Sequence, residues 1–163
     1  MKTYMKFLSI LPLAVMFIAT TFASSALASP PPFQIHGSFK SLETHINQGG
    51  PTIVDLDGVG HASVLGHYAV HEVATIAPDD SASGTADFLT ASGDHIFTTS
   101  NNQVTPNEDF TGLNIVETHT ITGGTGRFAG ATGTITIERF IDLATLLSEG
   151  TITGTISLPA PNA

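Results

Sequence analysis

Residues 150–158 read Gly-Thr-Ile-Thr-Gly-Thr-Ile-Ser-Leu, and they alternate strictly between two kinds of side chain. From Thr151 onwards, a hydroxyl residue is followed each time by an apolar residue or by Gly. Successive side chains of a β-strand point to opposite faces, so this alternation predicts a strand with one buried face and one face in water. The stretch therefore indicates an all-β fold.

The same alternation recurs along the chain, with turn-forming residues between the segments. It is clear in three more segments and weaker in another three: residues 133–141, 114–122 and 66–76, then 33–46, 84–91 and 94–99. Gly, Pro, Asn and Asp are concentrated in the separating segments: residues 47–51, 77–83, 100–112 and 123–132. Only residues 143–148 could hold a helical turn. Seven or eight antiparallel strands in a single domain predict a barrel or a sandwich.

Composition excludes several classes of protein. The chain has 163 residues, 14 acidic and 5 basic, with a net charge of −9 and no Cys. A binder of nucleic-acid phosphates needs clustered Lys and Arg, so no nucleic-acid partner is expected. The absence of Cys excludes disulfides, thiolate nucleophiles and cysteine–zinc sites.

The N-terminal segment has the pattern of a secretory signal. Lys2 and Lys6 precede an apolar run over residues 7–19, and residues 26–28 form an Ala-x-Ala cleavage motif. We expect a signal peptide over residues 1–28, cleavage after Ala28, and a secreted or periplasmic protein without stable membrane insertion. The expected remainder is a Pro-rich lead-in (29–32), a barrel domain (33–158) and a tail (159–163). Its net charge is −11, because cleavage removes two of the five basic residues.

Four ionisable residues fall on the apolar faces of predicted strands: Glu72, Glu117, His119 and Arg139. Burying a charge costs several kcal/mol unless it is paired, so these residues are expected to form a network. One alternative is an Arg–Glu ion pair near a barrel end, with His119 hydrogen-bonded or reaching solvent. The other is a cluster facing a ligand, with Glu72 or Glu117 as acid or base and His119 as its partner. These four are the candidate catalytic residues.

The sequence predicts no metal site and no cofactor. Seven histidines are present, but His67 and His71 lie four residues apart, roughly 13 Å along a strand. A metal site would need convergence from several strands, and histidines scattered over the surface are expected instead. Residues 55–58 begin like a calcium loop, but Gly66 stands where that loop needs Glu, which predicts an ordinary Asp-Gly turn. The glycine-rich residues 123–130 lead into a strand, whereas a nucleotide site needs a helix there.

Residues 119–133, His-Thr-Ile-Thr-Gly-Gly-Thr-Gly-Arg-Phe-Ala-Gly-Ala-Thr-Gly, resemble the hallmark turn of bacterial allene oxide cyclase-like barrel proteins. Plant allene oxide cyclases and dirigent proteins have a similar Gly-Gly-Thr/Ser-Gly-x-Phe turn. Residues 58–66 and 91–95 resemble two further segments of this family, although Val64 stands where His is usual. The resemblance extends over residues 33–158.

This resemblance implies a single antiparallel eight-stranded β-barrel with an apolar cavity, often assembled as a trimer. The expected function is a secreted barrel that binds a small apolar molecule in that cavity. One alternative is a cofactor-free cyclase or isomerase that acts by positioning a reactive apolar substrate. The other is a non-catalytic structural or surface-associated barrel whose interior is filled by side chains. No catalytic residue of the plant proteins matches a position of this chain.

Overall fold

The computed structural model describes residues 31–47, 51–77 and 81–159. The predicted signal peptide, residues 29–30 of the predicted lead-in and residues 160–163 of the predicted tail lie outside this part of the chain. No helix among the described residues has the length and hydropathy needed to cross a membrane.

Eight strands make up almost all of the described chain: β1 (Phe33–Asn47), β2 (Thr52–Ala62), β3 (Gly66–Ile76), β4 (Ala82–Thr90), β5 (His95–Pro106), β6 (Gly112–Gly124), β7 (Thr132–Asp142) and β8 (Leu147–Ser157). Each strand pairs antiparallel with the next, and β8 pairs with β1, so the sheet closes on itself. The predicted eight-stranded antiparallel barrel is confirmed. Closure leaves no free sheet edge.

The alternation seen in the sequence determines which side chains face inward. Ile152 and Ile156 of β8 are completely buried. Thr151, directly before Ile152, and Thr153, between the two isoleucines, are exposed. Apolar inward side chains from each of the other strands form one continuous core with them. The hydrophobic effect therefore fixes the register, because a shift by one residue would turn the whole inner face outward.

Strand β2 was not predicted, and the interpretation of residues 55–58 as an Asp-Gly turn is wrong. These residues lie within β2, with Gly58 on the inner face. A Cβ at Gly58 would lie 2.9 Å from the ring of Phe39 and 3.0 Å from Val70. Large neighbours therefore fill the space that a side chain on β2 would occupy. Because glycine therefore stands at an inward position, β2 lacks the apolar alternation by which the other strands were predicted.

Two other local predictions also differ from the structure. Residues 100–106 belong to β5 rather than to a turn, and only residues 107–111 connect β5 to β6. Residues 143–148 do not form a helix, because the chain turns at 143–146 and β8 begins at Leu147. The Asp142 carboxylate holds that turn by accepting hydrogen bonds from the backbone of Ala144 and Thr145, both at 2.9 Å. Leu146 then has a φ of +58°, which is incompatible with a continuing helix.

The two ends of the barrel differ in character. At one end the 3₁₀ turn Gly126–Phe128 places Phe128, which is completely buried, over the apolar core. We call this the Phe128 end. The opposite end, where β3 ends at Ile76 and β4 begins at Ala82, has polar and charged side chains inside; we call it the polar end.

Candidate functional site

Five ionisable side chains lie inside the polar half of the barrel and form what we call the polar cluster. They are between 0 and 7% exposed: Glu43, Glu72, Glu117, His119 and Arg139. They project from β1, β3, β6 and β7, since Glu117 and His119 lie two residues apart on the same face of β6. The structure thus brings together all four residues singled out from the sequence and adds Glu43.

Arg139 links two of the carboxylates. Its Nε and Nη2 donate hydrogen bonds of 2.9 and 2.6 Å to the same oxygen of Glu117, Oε1. Its Nη1 donates to Glu43 and, at 3.1 Å, to Ser148 Oγ. Burial lowers the pKa of Arg139, but the charges of both carboxylates outweigh burial and raise it. The guanidinium therefore stays charged and fully paired, as a buried cation requires.

Glu72 reaches the cluster from the other side. Ser100 Oγ donates a hydrogen bond of 2.7 Å to Glu72 Oε1, while Glu72 Oε2 lies 4.0 Å from His119 Nε2. Burial and then the charge of Glu117 raise the pKa of Glu72 above its ordinary value. Glu72 therefore accepts a proton more readily than Glu117, whose pKa is lowered.

His119 is oriented by hydrogen bonding and packing. Its Nδ1 lies 3.0 Å from Thr98 Oγ1, and its ring meets the ring of Phe88 edge to face at 5.8 Å. Its Nε2 points to Glu117 Oε2 at 3.5 Å. Burial tends to raise the pKa of Glu117, but the contact with His119 and the charge of Arg139 hold that pKa below its ordinary value.

The cluster contains more negative than positive groups. It has three carboxyl groups against one guanidinium in a region shielded from water. Excess buried charge is costly, so a proton or a bound cation would stabilise this arrangement.

A small cavity of about 30 Å³ adjoins the cluster at the polar end. Glu72, Glu117 and Arg139 form its polar side, and its remaining lining is mainly apolar: Val54, Leu56, Ala74, Ile76, Ala82, Val104 and Ile115. Asn102 also lines it, and the Oδ1 of Asn102 is buried without a hydrogen-bond partner. The volume is about that of one water molecule in the liquid.

The outer face of β1 to β4 has two larger, open hollows of about 530 and 580 Å³. Their lining includes the exposed side chains of Val59 and Leu89. Most histidines also lie on the outside: His36, His45, His61, His67 and His71 are exposed. His95 is half-buried beside Asp87, with 2.8 Å between Nδ1 and Oδ1, which leaves His119 as the buried histidine of the described chain.

Solved structures with a similar barrel exist. The pterocarpan synthase dirigent protein GePTS1 is similar with a TM-score of 0.57 and 14% identity, over 79% of this chain and 92% of that chain. The fold is dirigent-like. A second pterocarpan synthase dirigent protein, PsPTS1, gives a TM-score of 0.58 and 13% identity, over 84% of this chain and all of that chain. The predicted resemblance to dirigent-like barrels is thus confirmed for the fold. No protein-family model and no curated protein matches the sequence.

Sequence reasoning missed four polar partners within this dirigent-like barrel: Glu43, Thr98, Ser100 and Ser148. Thr98 lies in a segment predicted as a strand, but its hydroxyl alone gave no reason to place it beside His119. Ser100 was assigned to a turn. Glu43 continues the inward positions Ile35 and Phe39 at even spacing along β1, and this spacing is the one signal that could have found it.

Proposed function

We propose that this chain is a secreted dirigent-like barrel that binds a small, mainly apolar molecule at the polar end. The observation that supports the proposal is the composition of the cavity, with apolar walls and the polar cluster at one side. Binding sites for small molecules commonly combine an apolar lining with a few polar groups that fix the orientation. Arg139 already donates to Glu117, Glu43 and Ser148, so Glu72 is the group expected to contact a polar atom of the ligand.

The cavity volume sets a condition on this proposal. About 30 Å³ cannot hold a molecule larger than water, so side chains at the rim must move outward when the ligand enters. Val104 lines the cavity and is 37% exposed, so it is a candidate for this movement. The observed affinity then equals the affinity of the open state multiplied by the fraction of molecules in that state.

A cofactor-free cyclase or isomerase is the second candidate, and Glu72 is the observation in its favour. A carboxyl with a raised pKa stays protonated to higher pH than an ordinary Glu and can donate that proton to a substrate carbonyl or hydroxyl. A non-catalytic structural barrel is the third candidate, supported by the packed interior, where Phe39, Phe88 and Phe128 are buried almost completely.

We also propose assembly into a trimer, which size-exclusion chromatography with light scattering would test.

Affinity capture from a mixture of apolar compounds distinguishes these candidates. The purified chain is incubated with an apolar extract, separated by gel filtration, and its bound and free compounds are identified by mass spectrometry. The variant Ala82→Leu adds bulk to the cavity wall, and the control Ser83→Leu adds the same bulk to the exposed side of β4. Retention that Ala82→Leu abolishes and Ser83→Leu preserves supports binding at the polar end.

The other outcomes decide between the remaining candidates. Conversion of a retained compound, lost in Glu72→Gln, supports the cyclase or isomerase. Absence of both retention and conversion contradicts the proposal and supports the structural barrel.

A further inference from the structure

Three side chains of the polar cluster, Glu72, Glu117 and His119, each bring one potential ligand atom within 4.8 Å of the other two. The atoms of the two contacts with His119 are Oε2 of Glu72, Oε2 of Glu117 and Nε2 of His119. The imidazole nitrogen is 3.5 Å from the Glu117 oxygen and 4.0 Å from the Glu72 oxygen. An ordinary N–H···O hydrogen bond measures roughly 2.7–3.2 Å. The contact with Glu117 is therefore a long hydrogen bond and the separation from Glu72 exceeds hydrogen-bond distance, so the three atoms are not packed tightly against one another.

The second polar atom of each of these side chains is held by another residue. Thr98 contacts Nδ1 of His119, Ser100 donates to Oε1 of Glu72, and Arg139 donates to Oε1 of Glu117. Such outer partners are typical of metal sites, where they fix the orientation of each ligand and leave the other atom free for the ion.

The geometry points to a binding site for one divalent transition-metal ion, with Glu72, Glu117 and His119 as its ligands. Two carboxylate oxygens and an imidazole nitrogen suit Zn²⁺ and the neighbouring first-row dications. The composition of the cluster also fits, because it has three carboxyl groups and only one guanidinium, and a dication would offset this excess of acidic groups. This inference does not rest on the proposed binding of a small apolar molecule.

The spacing and the surroundings fit such an ion. Ligands about 2.0–2.1 Å from Zn²⁺ are roughly 3.3 Å apart in a tetrahedron. The two contacts of His119, at 3.5 and 4.0 Å, would have to shorten by less than about 1 Å each to reach that spacing. Glu72 and Glu117 also line the cavity of about 30 Å³, which has room for one water molecule as a fourth ligand. The partnerless Oδ1 of Asn102 lines the same cavity and is an acceptor for a hydrogen bond from that water.

Metal titration of the purified chain tests the site. Protein treated with a chelator and then dialysed is titrated with Zn²⁺ alone by isothermal titration calorimetry, and with Co²⁺ to record its visible absorption. We expect one ion per chain, and at a hundredfold excess over Kd a rise in Tm of about 10 °C.

Matched variants locate the ion. Glu72→Gln keeps an oxygen for the hydrogen bond from Ser100 but removes the charged ligand, so we expect loss of measurable binding. Ser100→Ala removes only the outer partner of Glu72, and we expect binding about 10- to 100-fold weaker. His71→Gln is the control, because Asp55, Asp57 and His71 form a second, exposed group of potential ligands on the outer face. It should leave the stoichiometry unchanged.

NMR of the wild-type histidine rings gives a measurement that does not depend on whether a variant folds. The His119 ring signals should shift on addition of Zn²⁺, while those of His71 stay in place. Absence of binding overturns the inference, and so does binding that survives Glu72→Gln, that is lost in His71→Gln, or that shifts His71 but not His119. Ligand capture from apolar extracts is a separate assay, so either proposal can fail alone.

Discussion

Arg139 donates two hydrogen bonds to a single oxygen of Glu117, from Nε at 2.9 Å and from Nη2 at 2.6 Å. The other oxygen of Glu117 is thereby left to face His119, at 3.5 Å from Nε2. One ion pair between neighbouring strands thus sets the orientation of a carboxylate inside the barrel. The same arginine also pairs with Glu43 on β1 and so connects β7 to the far side of the cluster.

Replacing this arginine should be strongly destabilising. Arg139→Met retains much of the aliphatic volume but leaves the carboxylates of Glu43 and Glu117 buried without their cation. Breaking a buried pair in this way costs about 3–5 kcal/mol in the free energy of unfolding, measured by urea denaturation. The control Lys40→Met breaks the exposed pair with Glu149, where Nζ and Oε2 are 3.2 Å apart, and should cost less than about 1 kcal/mol. Equal effects of the two variants would contradict the structural importance of the cluster.

Glu72 should make stability depend on pH in the absence of metal. Because its pKa in the folded state is raised above the ordinary 4.5, the folded protein binds more protons than the unfolded chain between these two values. Within that window its contribution to stability is lost as pH rises. Glu72→Gln removes this loss, so with a chelator present the variant should gain stability over wild type as pH rises above about 4.5.

Urea denaturation across pH, with both proteins in the same chelator, measures this difference. The lowered pKa of Glu117 acts in the opposite direction, since its contribution is lost as pH falls, but it is present in both proteins. A Glu72→Gln variant that is less stable by a constant amount at every pH would show that Glu72 does not carry the raised pKa.

Two glycines at the Phe128 end provide a matched comparison of close packing. Gly123 and Gly133 have similar φ angles of +152° and +145°, so an Ala at either position carries similar backbone strain. A Cβ at Gly123 meets no atom within 4 Å, whereas one at Gly133 collides with the backbone of Thr155 on β8. Gly133→Ala should therefore cost about 1–3 kcal/mol more than Gly123→Ala. Thermal unfolding of the two variants tests this, and equal costs would mean that β7 and β8 can separate freely.

Phe128 should be a major contributor to the core. It is completely buried under the turn at Gly126–Phe128, so Phe128→Ala should cost about 3–5 kcal/mol by urea denaturation. Phe110 is 75% exposed in the β5–β6 turn, and Phe110→Ala should change stability by no more than about 0.5 kcal/mol. A small loss in Phe128→Ala would mean that the barrel end closes without this ring.

Much of the fold could be predicted because the alternation of apolar and polar residues along a strand shows which face is buried. The patterns around Ile152 and Ile135 placed their strands correctly, and the polar residues within such faces were found inside the barrel. Strand β2 escaped because Gly58 and Gly60 face inward, where the rings of Phe39 and Tyr68 occupy the space of their missing side chains. A large side chain on one strand thus fills the space beside a glycine on its neighbour. The residue pattern of a single strand does not show this.

The site was predictable only in part, for a similar reason. Glu117 and His119 stood out because isoleucines flank them on one strand. Ser100 acquires its role only through the distant Glu72, and a hydroxyl in a polar segment gives no sign of such a partner. The convergence of β3 with β6 inside the barrel follows from closure, which no local pattern encodes.

Closure of the barrel also has a consequence for how the chain folds. Seven of the eight strand pairings join neighbours in the sequence, but the last joins β1 to β8, bringing Phe33 opposite Ile156. Until that slow, long-range pairing forms, both terminal strands are open edges, and the Thr- and Ile-rich β8 could associate with another molecule. Lys40 and Glu149 face each other across this seam. The Lys40–Glu149 ion pair adds little to the stability of the closed barrel. In two partly folded molecules, however, a charge on each open edge disfavours pairing of one molecule with the other.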